Sequence, residues 1–151
     1  MSELRQELLD SELPVSRWLP VTQEMVDAHA RTTGDDDWLH TDVARAAAGP
    51  AGGTIAQGFL LLSLFSALHY GAVPALEERC SYLLNYGFDR VRFVRPVLTG
   101  RRVRARSAVR EVAERDEGRL VLTLAVTLQV DDDDPRPAVV ADWLFLATPR
   151  G

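Results

Sequence analysis

Residues 55–70, IAQGFLLLSLFSALHY, contain no Asp, Glu, Lys or Arg. A helix built from them is apolar on nearly every face, and such a helix has to be buried. At 1.5 Å per residue it spans about 24 Å, short of the ~30 Å hydrocarbon layer of a bilayer. A membrane span is therefore not expected, and something else in the chain must wrap this segment. The 151 residues suffice for that. A chain of this size reads as one ordinary domain and can hide roughly 68–70% of its unfolded surface.

The wrapping is legible in the second half. Residues 82–93, 101–115, 119–130 and 138–148 read as long strands. In the third, Leu120, Leu122, Leu124, Val126, Leu128 and Val130 alternate with Val121, Thr123, Ala125, Thr127 and Gln129. Arg102, Arg104 and Arg106 alternate with Val103, Ala105 and Ser107, which gives the second strand one wet face. The connections Thr99-Gly100, Asp116–Gly118 and Asp131–Pro135 are short turns, which predicts that the strands they join are antiparallel neighbours. Ahead of the apolar run the pattern is helical. Residues 1–16 suggest a short helix or arm and 17–21 a brief extended segment. Thr22 is a candidate N-cap for a helix to about Thr33, closed by Gly34. After a polar turn at 35–40, Asp42 can cap a short helix over 43–48, broken by Gly49-Pro50. Helices followed by a run of long strands predict an α+β fold, with a curved antiparallel sheet holding the helix on one face.

The net charge is −5 and every basic residue is Arg. The charges are segregated: residues 1–88 hold five Arg against twelve acids, and residues 89–119 hold ten Arg against five acids. A pI near 5.2 excludes general nucleic-acid binding but leaves the basic block able to receive one anionic group. The single Cys80 permits no intrachain disulfide and no multi-cysteine zinc site, and fits a reducing cytoplasm. The acidic N-terminus lacks the basic-then-apolar pattern of a signal peptide.

The chemistry-bearing residues cluster in two places. Asp35 and His40, five apart across a turn, can converge on one water. The glycine-rich stretch Gly52-Gly53-Thr54-Ile55-Ala56-Gln57-Gly58 then leads into the apolar helix. The first N–H groups of a helix are free and lie at the positive end of its dipole, where a developing oxyanion is stabilised. A carboxylate, an imidazole and an N–H donor together suit addition of water beside a carbonyl.

With these residues in view, the chain resembles the MaoC-like hydratases, the (R)-specific enoyl-CoA hydratases. The matching residues are Gly34, Asp35 and His40, then Gly58, Phe59, Leu60, Ser63 and Leu64. Trp38-Leu39-His40, Ala46-Ala47-Ala48-Gly49-Pro50 and Asn85-Tyr86-Gly87 with Val91-Arg92-Phe93 resemble the nodulation-protein-N-like and mycobacterial single-domain branch. The likeness covers residues 17–148. It implies a hot-dog fold, a sheet wrapped around one central helix, and hydration of trans-2-enoyl thioesters of coenzyme A or a carrier protein to (R)-3-hydroxyacyl thioesters, or the reverse. Asp35 and His40 would be the acid–base dyad and the Gly58 N–H the oxyanion donor. Trp38, Gln57, Phe59, Ser63 and Asn85 would line the pocket, Asn85 equally well being a buried polar group of its strand. The arginine block is by default a wet sheet face, with Arg92 and Arg95 the candidates for the phosphates of coenzyme A, since guanidinium forks suit phosphate geometry. No metal or organic cofactor is implied, and a homodimer is expected because pairing covers sheet edges. Two positions depart from the family pattern: Gln57 replaces its usual His, and Trp38-Leu39 its commoner Asn-Pro.

Plainer readings hold elsewhere. Asp36 and Asp37 read as a solvated turn, Asp131–Asp134 as a hairpin tip, and His29 and His69 as packed or surface histidines. Ser63 and Ser66 more simply bond back to their own helix. Two other functions compete with the hydratase. One is a hot-dog acyl-CoA thioesterase, disfavoured because the central helix lacks the acidic residue such enzymes place there. The other is a non-catalytic acyl-thioester-binding subunit, disfavoured by an intact Asp–His pair.

Overall fold

A computed structural model describes residues 2–69 and 74–150. Tyr70, the last residue of the apolar run, lies outside them. Six helices precede or interrupt five strands: α1 (Ser2–Leu9), β1 (Leu19–Pro20), α2 (Gln23–Thr33), α3 (Trp38–Thr41), α4 (Val43–Ala47), α5 (Gly58–His69), α6 (Pro74–Glu77), β2 (Cys80–Phe93), β3 (Arg102–Glu114), β4 (Leu120–Val130) and β5 (Val139–Pro149). The strands form one antiparallel sheet in the order β1-β3-β4-β5-β2. The sheet curls around α5, the hot-dog arrangement.

Strand β4 explains how the sheet meets the helix. Its Leu120, Leu122, Leu124, Val126, Leu128 and Val130 are all buried, and the residues between them are half-exposed. Trp143 and Phe145 of β5 and Val103, Ala105 and Val112 of β3 continue this apolar face. Against it lie Leu60, Leu61, Leu64, Phe65 and Leu68 of α5, with the Phe65 ring 6.2 Å from that of Trp143.

Three expectations are corrected. First, α5 begins only at Gly58, because Ile55 and Ala56 are spent on the loop after β2: Ile55 bridges Leu98, and the Ala56 N–H donates to Val97 O at 2.8 Å. Second, α5 is not covered all round within the chain. Phe59 is 68% exposed, and Ser63, Ser66 and Ala67 share its open side. Third, the Thr99-Gly100 turn does not make β2 and β3 neighbours. The chain leaves the sheet after Phe93 to receive residues 54–56, and the turn pairs instead with the β1 segment through Gly100 N–H to Val21 O and Val21 N–H to Arg101 O. That frees β2 to pair with β5 at the far edge, leaving its other side unpaired. The other two short turns join antiparallel neighbours as expected.

Candidate active site

The site grows from helix ends. The Thr22 hydroxyl caps α2 by accepting from the Met25 N–H, and Gly34 closes it in the left-handed conformation (φ 80°), its N–H donating to Ala30 O. A left-handed residue costs little only for glycine. The chain therefore turns sharply, and Asp35 follows at the surface. The expected polar turn contains one more element. Asp37 caps the single-turn helix α3 by accepting from the Leu39 N–H at 3.0 Å, and this turn presents His40. Asp42 caps α4 in the same way through Arg45 N–H.

His40 is fixed from both sides. Its Nδ1 lies 2.7 Å from Ile55 O, and a carbonyl can only accept, so Nδ1 carries the hydrogen. In the neutral ring that leaves Nε2 with a bare lone pair, and Nε2 faces Asp35 Oδ1 at 4.0 Å. The gap is too long for a direct hydrogen bond and suits one bridging water. Two ~2.8 Å bonds from one water oxygen across that gap enclose about a right angle, close to the angle between water's own hydrogens. Asp35 is 45% exposed and His40 14%, so one partner stays wet while the other is sheltered.

The segment before α5 is bound to the same turn. Ile55 N–H donates to Leu39 O at 3.0 Å, reciprocating the His40 contact. The buried Gln57 amide donates to Val26 O at 3.1 Å and to Asp35 O at 3.2 Å. Gln57 is thus a tie between α2, the Asp35 turn and α5. The resemblance implies a place on the pocket wall; the side chain is fully buried, and its Oε1 has no hydrogen-bond partner among the described residues. Gly58 opens α5, and a Cβ there would sit 3.0–3.1 Å from the Phe93 ring, so a larger residue needs that ring to give way by a few tenths of an ångström. The first N–H groups of α5 have no partner one turn back within the helix.

The other proposed site residues separate. Phe59 lies beside Gly58 and meets Phe93 edge-on at 6.0 Å. Trp38 is half-buried, with the Arg45 guanidinium 4.2 Å over its ring and Gly49 against its edge. Ser63 donates to Leu60 O within its own helix. Asn85 stands on β2, where its Oδ1 accepts from the Trp143 indole at 2.9 Å. Arg92 is exposed and donates to the neighbouring Val91 O. Arg95 is not free for phosphate: it holds Asp132 with both terminal nitrogens and Arg136 O with Nε, at 2.8–2.9 Å. The hairpin tip is therefore a counter-charge for the basic block, since Asp131 also accepts from Arg102 and Asp134 from Arg136. These arginines hold the carboxyls of Asp131, Asp132 and Asp134 below the usual range.

One supporting residue went unnoticed in the sequence. The Gln23 amide donates to His40 O at 2.8 Å while its oxygen accepts from the Thr54 hydroxyl, which also contacts Thr99. Nothing local distinguishes Gln23 from any polar residue in a first helical turn; its partners are 17 and 31 residues away.

An Asp and a His set around a water-sized gap, tied to the start of a central helix under a curled sheet, is the geometry shown. A family profile for the MaoC-like domain matches residues 6–130. The chain belongs to the MaoC-like dehydratase family. It is 43% identical over 139 residues to Nodulation protein N of Rhizobium leguminosarum bv. viciae, covering 91% of this chain and 85% of that protein. It is 40% identical over 127 residues to 3-hydroxyacyl-thioester dehydratase Z of Mycobacterium tuberculosis, covering 84% and 82% respectively. Among solved structures, the (R)-hydratase from A. caviae involved in PHA biosynthesis superposes with a TM-score of 0.65 at 26% identity, covering 90% of this chain and 96% of that one.

Proposed function

We propose that this MaoC-like protein is a hydro-lyase that adds water to trans-2-enoyl thioesters, giving (R)-3-hydroxyacyl thioesters, and catalyses the reverse dehydration. The observation that carries this reading is the bare Nε2 of His40 facing Asp35 across 4.0 Å. One water donates to both groups and turns its oxygen lone pair outward. As that oxygen bonds to C3, the dyad takes a proton from it and the C2–C3 π electrons move onto the thioester oxygen. The Gly58 N–H donates to that oxygen as enolate character grows, a contact typically worth ~2.7–4 kcal/mol in the transition state. The enolate then collapses and the dyad returns a proton to C2. These steps call on no metal and no organic cofactor.

The thioester is carried by coenzyme A or a carrier protein, and of the two arginines considered for its phosphates we assign the contact to exposed Arg92, since Arg95 is held by Asp132. The working unit is a homodimer. Unpaired edge β2 displays Tyr82, Leu84, Tyr86 and Phe93, and neighbouring α5 displays Phe59. A second copy laid along β2 covers both. Among the described residues no helix is long and apolar enough to cross a membrane, and a cytoplasmic setting fits. The thioesterase reading finds no support in α5, which holds no acidic residue from Gly58 to His69.

The test is hydration of crotonyl-CoA, followed by loss of enoyl absorbance. Asp35→Asn and His40→Gln should each lose about 10²–10⁴-fold in kcat. Full activity in either variant overturns the dyad assignment.

A further inference from the structure

Beneath the C-terminal half of α5 lies a cavity of about 180 Å³, walled by Ser66 and His69 of the helix, Leu83 and Asn85 of β2, and Trp143 and Phe145 of β5. His69 is only 5% exposed. Its ring stacks on Phe145 at 5.2 Å and leans on Trp143 at 4.8 Å, and neither ring nitrogen has a hydrogen-bond partner among the described residues. Buried polar atoms are almost always paired, and each exception calls for a reason. Packing supplies none here, because a leucine would complete the apolar stripe of α5. The nitrogens instead line a space large enough for a ligand. Asn85 adds to it: the indole of Trp143 occupies its oxygen, so the NH2 end is the one left for a ligand.

The exposed side of α5 runs from the proposed reaction centre to the rim of this cavity, where Ser66 lies. Phe59, Ser63 and Ser66 follow one another along that side, at spacings that share a helix face. Ser66 and His69 lie about 12–16 Å along the helix from Gly58. We propose that this cavity receives the far end of the acyl chain, and that His69 selects chains carrying an uncharged oxygen there, a hydroxyl above all. The inference rests on the enoyl-thioester reading and names its substrate class. A hydroxyl donates and accepts at once, matching the one N–H and one bare nitrogen of a neutral imidazole. Burial pushes that imidazole down to about 4, so it is neutral near pH 7 and offers no counter-charge to a carboxylate. Glu77, which also borders the cavity, opposes one.

Calorimetric titration with octanoyl-, decanoyl- and dodecanoyl-CoA, each beside its ω-hydroxy counterpart, tests the assignment. At one or more lengths the hydroxylated chain should bind the wild type about tenfold more tightly than its parent. His69→Leu should abolish that preference, and His69→Gln, which keeps a donor and an acceptor, should retain it. Equal affinity within every pair overturns the assignment and leaves the cavity to water. A preference that survives His69→Leu overturns it as well. Because saturated chains are bound without being hydrated, these results stand apart from the crotonyl-CoA assay.

Discussion

Gln57 sets the position of Asp35 without touching anything that reacts. Its NH2 group satisfies the buried carbonyl of Val26 and the part-buried one of Asp35, and a buried carbonyl left unpaired costs about 1–3 kcal/mol. Gln57→Leu should therefore lower kcat about tenfold or more with KM for crotonyl-CoA nearly constant. Gln57→His, which keeps a donor, should recover most of it. Wild-type kcat in the leucine variant would show that the tie does not matter. His69 gives a second residue-scale expectation, this time in stability. Its folded pKa is about 4, below the ordinary value of ~6.5. Between those values the unfolded chain holds more protons, so its contribution is complete above pH ~6.5 and falls as pH drops toward 4. Urea unfolding at pH 7 and pH 5 should differ by about 2 kcal/mol on this account, and His69→Leu should flatten that part of the profile.

The elements show which signals are local. Thr22, Gly34 and Asp42 were legible as helix punctuation because a cap acts within three residues of itself, and β4 was legible because alternation is a property of the strand alone. The place of β2 was not. Its short connection to β3 suggested a hairpin, and only the demand of residues 54–56 for partners at Val97–Thr99 explains why the chain departs from the sheet. The dyad followed the same rule. Asp35 and His40 could be singled out from spacing and resemblance, whereas Gln23, Gln57 and the fate of Arg95 depend on contacts 17 to 41 residues away. Edge strand β2 also carries an element-scale prediction. Leu84, 45% exposed, faces the proposed second copy, and a charge on a sheet edge blocks pairing. Sedimentation velocity should find a dimer for the wild type and a monomer for Leu84→Lys. A wild-type monomer at micromolar concentration would refute the dimer.

At the scale of the whole molecule, part of the basic block is balanced by carboxylates that follow it in the chain. Arg90 and Arg110 converge on buried Asp142, Arg95 on Asp132 and Asp134, and Arg102 on Asp131. The basic block and the acidic hairpin tip are thus one paired surface. Two variants separate its roles. Arg92→Gln should raise KM for coenzyme A thioesters severalfold at low salt, with the effect shrinking at high salt. Arg95→Gln should leave KM alone and cost about 1–3 kcal/mol in urea unfolding, since it removes charge-assisted bonds. Equal KM changes in both would contradict this division.

The excursion between β2 and β3 has a consequence in time. Strands β3, β4 and β5 are joined by short turns, so their closure demands little chain entropy and they can assemble as a meander early in folding. Strand β2 must wait for β5, since its register joins Leu84 to Leu146 and Phe93 to Val139 across the whole intervening meander. The strand that bears Asn85 and the exposed edge is therefore seated after that meander, as is β1, whose Leu19 must find Val103. In the proposed dimer, a newly made chain would offer the β2 edge only after the β3–β4–β5 sheet behind it has formed, which guards that edge against premature partners.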